Sequence, residues 1–198
     1  MSTVVPLDPR ALARARVREN TGAIGMMVAL CAWAMMFASL LFVYLGLRAQ
    51  AKSWPPPGIE LPLLVPAVNT VVMLASSVTL TRGLERLRSG SRLQSIRWVV
   101  ATFALGVAFV VLQIALWRSL WLDGINFTTG VVGAVVYALT ILHAAHVLGG
   151  VLVLGYLLAL VVRGGQLQRR VGTLRFCAMY WHFVDAVWLV MFVGMFLI

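Results

Sequence analysis

Five apolar stretches, at about 22–47, 61–81, 98–117, 131–162 and 174–198, set the rhythm of this chain. None alternates between hydrophobic and polar positions, and each exceeds the roughly 9 to 11 residues of a membrane β-strand. Each instead reaches the roughly 20 residues that carry an α-helix across the hydrocarbon layer. In lipid every backbone polar group must be paired within its own element, which leaves helices as the solution. The pattern therefore predicts an all-α integral membrane protein: a polar segment over 1–21, then a single domain of five transmembrane helices over 22–198.

Local breaks refine this outline. The apolar run from Gly22 to Leu47 is too long for a signal-peptide core of about 7 to 15 residues and long enough to span, so it is expected to be helix 1, although Ala49-Gln50-Ala51 after it imitates a cleavage site. The run Trp54-Pro55-Pro56-Pro57-Gly58 cannot continue a helix and reads as an extended linker. Gly149 and Gly150 interrupt helix 4 and, with Gly155, are read as points where helices approach closely. Composition agrees: the chain is 62% hydrophobic and 11% charged, with mean hydropathy +0.96, values that a soluble domain of 198 residues does not tolerate.

A net charge of +10 raises the possibility of nucleic acid as a partner, but the basic residues fall in particular loops, away from exposed aromatics, and speak against it. Thirteen of the sixteen lie in the N-terminal segment and in the loops after helices 2 and 4, leaving three for the other two loops. By the positive-inside rule the N-terminus is expected in the cytoplasm and the C-terminus outside. Cys31 and Cys177 both fall in or beside spans and are read as buried apolar side chains rather than a disulfide or metal pair.

Chemistry inside a membrane must come from polar side chains within the spans. They are few: Asn69, Ser76 and Ser77 on helix 2, Gln113 on helix 3, Thr140, His143 and His146 on helix 4, His182 and Asp185 on helix 5. A carboxylate near a helix centre costs roughly 2.5 to 3.5 kcal/mol, so Asp185 is expected to face protein and find a donor. His182, three residues before it on the same face, is one candidate, and Trp181 and Trp188 flank it. A shared haem is disfavoured by depth: counted from the cytoplasmic ends, His146 lies roughly 22 Å in and His182 roughly 10 Å. No nucleophile sits beside a base, and no glycine loop is placed to cradle phosphate. A subunit that packs on a catalytic partner is the expected class.

The run Tyr180-Trp181-His182-Phe183-Val184-Asp185 with Trp188 resembles the last-helix signature of subunit III of the haem-copper oxidases, in the five-helix bacterial form. Thr140, His143, His146-Val147 and Gly149 are similar to the same family's helix 4 pattern, with Ile141 in place of a glycine. Asn69-Thr70, Ser76-Ser77, Gly106, Phe109 and Gln113 extend the likeness to helices 2 and 3. The resemblance implies a non-redox accessory subunit of a respiratory terminal oxidase in a bacterial cytoplasmic membrane. Such a subunit carries no haem or copper of its own. Its partners are the large haem-copper catalytic subunit and the copper-bearing subunit, and it holds membrane lipids and supports proton uptake and stability. His143, His146, His182 and Asp185 would then be polar struts between helices 4 and 5 or contacts to lipid headgroups.

Two positions depart from the family pattern. Trp33 stands where a helix 1 glutamate is usual, and Leu116 where helix 3 usually has another. A proton-handling role that the family ascribes to the helix 1 acid therefore does not transfer. The departures keep an accessory subunit of a nitric oxide reductase open as an alternative. From other classes, the span count and histidines allow a haem b quinol-oxidising anchor, and Asp185 allows a transporter ion site, though there is no pair of half-helices to build one.

Overall fold

The computed structural model describes residues 9–53, 62–128, 130–163, 167 and 171–197. Five helices account for nearly all of them: α1 Pro9–Gln50, α2 Leu64–Arg88, α3 Arg92–Leu122, α4 Gly130–Val162 and α5 Val171–Phe192. A π-helical turn, Val193–Leu197, continues α5. All five contain spans long and apolar enough to cross a membrane. The expected five-helix architecture is therefore present.

Except at the start of α2, which begins at Leu64 rather than near 61, the helices reach or run past the limits that hydropathy sets. α1 begins at Pro9 rather than near 22, and α3 reaches from Arg92 to Leu122 rather than from 98 to 117. Hydropathy marks the part of a helix that lies in hydrocarbon, while arginine-rich turns remain good helix formers beyond it. Gly149 and Gly150 do not interrupt α4, which is continuous through both. The proline-rich linker lies outside the described residues.

Two of the connections are closed in the same way. After α2, Gly90 takes φ +81°, the Ser91 amide reaches back to the Arg86 carbonyl at 2.9 Å, and the Gly90 amide reaches Leu87 at 3.2 Å. After α3, Gly124 takes φ +78°, with Ile125 bonded to Leu120 at 2.8 Å and Gly124 to Trp121 at 3.1 Å. Both are Schellman caps, in which a left-handed residue turns the chain so that orphan carbonyls of the last turn are satisfied. Ile125 adds an apolar seal by packing with Leu120, Leu116 and Tyr137.

α2, α3, α4 and α5 pack in a closed ring, each against the next, and α5 returns to α2. One core joins all four, with Trp181 and Trp188 among its largest fully buried side chains. α1 lies outside the ring against α4 and α5, through a smaller core that includes Phe37, Tyr44, Leu139 and Met191. Only 6% of its most apolar 18-residue stretch is buried inside the chain, against 33 to 39% for the others. Cys31 is exposed on this outer helix, which corrects the expectation that both cysteines are buried; Cys177 is buried, and both thiols are free.

Candidate functional site: polar crosslinks of the helix ring

The polar residues of the spans meet in two groups. In the first, Asn69 on α2 donates to Gln113 on α3 at 3.2 Å, and Trp117 on α3 donates its indole N–H to Thr140 on α4 at 3.0 Å. Trp188 on α5 donates to Thr70 on α2 at 3.0 Å. His143 sits among them, its ring against Phe109, Trp188 and Phe37. Neither of its nitrogens has a hydrogen-bond partner among the described residues. Burial of 99% within an aromatic cage makes it a packing element.

The second group centres on α2 and α5. Trp181 donates to Ser76 at 2.9 Å, and Ser76 in turn donates to the Met73 carbonyl at 2.7 Å. Ser77 donates to the Asp185 carboxylate and lies 2.8 Å from Nδ1 of His182, whose Nε2 is 3.2 Å from the Thr81 hydroxyl. Ser77 has one proton and gives it to the carboxylate, so His182 Nδ1 is the donor to Ser77. His182 thus reaches Asp185 through a hydroxyl on another helix rather than directly.

This geometry corrects the expected struts between helices 4 and 5. His182 and Asp185 tie α5 to α2, and His143 forms no polar tie among the described residues. The α4–α5 link is made by Tyr180, which donates to the backbone carbonyl of His146 at 2.7 Å. The His146 ring turns back on its own helix, Nδ1 donating to the Leu142 carbonyl at 2.7 Å. Tyr180→Phe is accordingly expected to cost about 1 kcal/mol in thermal or denaturant unfolding of the purified protein. An unchanged stability would show the bond to be incidental.

Trp33 fills the position of the missing helix 1 acid. Its ring packs edge-on against His146 at 5.2 Å and Tyr180 at 5.4 Å. Leu116, at the second missing acid, is buried in the small apolar core with Leu120, Ile125 and Tyr137. Both acids are thus replaced by side chains that bring no charge into the span. Thr70, Thr81 and Trp117 escaped the reading of the spans as crosslinking residues. Thr81 was marked by its position one turn beyond Ser77, but threonine pairs with its own helix so often that the spacing alone carries no signal.

The histidines lend no geometry to a haem anchor. His143 is caged by aromatic rings, and both nitrogens of His182 face hydroxyls. Among the described residues no three His, Cys, Asp or Glu side chains gather as a metal site would require. What the arrangement does chemically is join helices.

The family model for cytochrome c oxidase subunit III matches residues 15–198. The chain belongs to that family. A probable cytochrome c oxidase subunit 3 of Mycobacterium tuberculosis (strain ATCC 25618 / H37Rv) is 35% identical over 176 residues, covering 88% of this chain and 87% of the relative. Cytochrome c oxidase subunit 3 of Thermostichus vulcanus is 30% identical over 170 residues, covering 85% and 83%. The Synechocystis protein of the same name is 31% identical over 179 residues, covering 88% and 74%. Membership in the subunit III family makes this chain an accessory subunit of a haem-copper oxidase, and it does not favour the nitric oxide reductase, haem-anchor or transporter alternatives. For a subunit III, the crosslinked ring is the scaffold and α1 its outlying member.

Proposed function

We propose that this subunit braces the large haem-copper catalytic subunit and the copper-bearing subunit of its oxidase, itself holding neither haem nor copper. The observation that supports this is the use of the polar groups in the spans. Trp181, Trp188, Asp185, Asn69, Trp117 and Tyr180 each hydrogen-bond across to another helix, which fixes the bundle's shape. A rigid bundle is what a neighbour can lean on while it moves electrons and protons.

In this reading the complex lies in a bacterial cytoplasmic membrane, with the basic loop between α2 and α3 on the cytoplasmic side. Membrane lipids fill the apolar recess of about 390 Å³ between α1 and α5, which is lined by Ala34, Phe37, Ala38, Phe183, Val187 and Val190 among others. The subunit supports proton uptake through the stability of the assembly rather than through a carboxylate on α1.

Purification in mild detergent by a tag on this chain is the direct test. A larger subunit with a Soret band should co-purify, the complex should consume oxygen, and this polypeptide should be colourless once separated. Recovery of the chain as a stable species without any haem-bearing partner would overturn the proposal, as would turnover of nitric oxide in place of oxygen.

A further inference from the structure

One face of α2 changes character along its length. Leu64, Val68, Val71, Leu74 and Val78 recur at steps of three or four residues and are all exposed, so they form one continuous apolar row. The same row continues into Thr81, Arg82 and Glu85, which are also exposed. There a recess of about 360 Å³ opens between α2 and α5, lined by Ser77, Val78, Thr81, Arg82, Glu85 and His182. The apolar row extends roughly 21 Å from Val78 to Leu64, enough to cover one leaflet's roughly 15 Å share of a hydrocarbon layer of about 30 Å and reach past its midplane. Arg82 lies within two turns of the helix end at Arg88, from where a long basic side chain is expected to reach the headgroup layer.

The recess is shaped for opposite charges side by side. Arg82 lines the recess, and its guanidinium carbon lies 5.3 Å from the indole ring of Trp98 on α3. Glu85 follows at i+3 on the same wall, within about 5 to 6 Å between Cβ atoms. Thr81 and His182 add polar groups to the lining, joined to each other at 3.2 Å. A guanidinium matches a phosphodiester and a carboxylate matches a primary ammonium. The two-carbon spacing of an ethanolamine headgroup places those groups side by side.

We propose that this face of α2 binds one aminophospholipid of the phosphatidylethanolamine type, with phosphate on Arg82, ammonium on Glu85 and an acyl chain along Val78 to Leu64. The inference rests on the chain lying in a bilayer as an oxidase subunit, and it names a site distinct from the recess between α1 and α5. An anionic lipid matches Arg82 but is repelled by Glu85. A choline headgroup has no N–H to donate. A partner helix seated on this face is the rival occupant, and the test below distinguishes it.

The test is native mass spectrometry of the intact detergent-purified complex, delipidated and then titrated with phosphatidylethanolamine, phosphatidylcholine or phosphatidylglycerol. The parent complex should retain phosphatidylethanolamine about tenfold better than the other two. Glu85→Gln should erase that preference while keeping phosphatidylglycerol binding, and Arg82→Gln should weaken retention of all three by about tenfold. Equal retention of the three lipids by the parent would overturn the inference, as would variants indistinguishable from it. Displacement by chain-free phosphoethanolamine at matched concentration would reassign the recess to a soluble phosphate ester. A polypeptide found seated on Arg82 and Glu85 in the assembled complex would equally sink it. Both variants alter exposed side chains, and co-purification of the haem subunit reports their integrity. Loss of that partner with lipid preference intact would count against the bracing function alone.

Discussion

Alanine in place of Gly150 is expected to destabilise the bundle by about 1 to 3 kcal/mol, although the same change in an open helix would gain about 1 kcal/mol. The Trp181 indole explains the reversal. Its ring lies between two helices, with Gly150 of α4 on one side and Gly106 of α3 on the other. A Cβ at Gly150 would sit 2.8 Å from the ring's Cε3 and Cζ3. One at Gly106 would sit 2.8 Å from Cη2 and equally close to Val151. The ring has little room to retreat, because its N–H is held by Ser76 on α2. Gly106→Ala should therefore cost a similar amount. Trp181→Phe, which removes the outer ring that the new methyl groups meet, should restore part of the loss in combination with either. Thermal unfolding of the complex in detergent measures this. Gly150→Ala matching the parent, or a Trp181→Phe combination adding its cost in full, would show that the three residues are not one joint.

Removing the serine that faces Asp185 should do more harm than removing Asp185 itself. Asp185→Ala leaves Ser77 and His182 still bonded to each other, and its cost should be on the order of 1 to 3 kcal/mol, read as reduced yield of assembled oxidase. Ser77→Ala leaves a buried carboxylate with neither oxygen paired, since Oδ1 has no partner even in the parent. Truncating one side of a buried polar pair exposes the desolvation cost of the other, about 3 kcal/mol or more when that other is charged. The double variant should be milder than Ser77→Ala alone. Activity per assembled complex should be unchanged in all three. Normal yield with selective loss of proton translocation would show instead that Asp185 serves chemistry.

Five spans could be read from the sequence because lipid leaves the backbone no alternative, and the last-helix motif carried the family as well. What periodicity could not supply was which helix faces which. His182 and Asp185 share a face of α5, and that much spacing reveals. Their true partner, Ser77, lies more than a hundred residues earlier, on a helix whose neighbour is fixed by the ring closing rather than by any local pattern. The Trp181 joint was half visible. Gly150 announced a close approach, but nothing in the sequence around Gly106 tied it to the same ring. Helix ends were misplaced for a different reason: arginines at the rims continue the helices into the headgroup layer, where hydropathy no longer registers them.

Among the described residues α1 packs chiefly against α4 and α5, which follow α2 and α3 in the chain. During synthesis it therefore enters the bilayer before its main partners within the chain exist, while α2 and α3 are threaded and capped behind it. Any factor that guards unassembled membrane segments has its longest opportunity to seize this protein there, so production of the oxidase should be most sensitive to delays in translating the second half of the message.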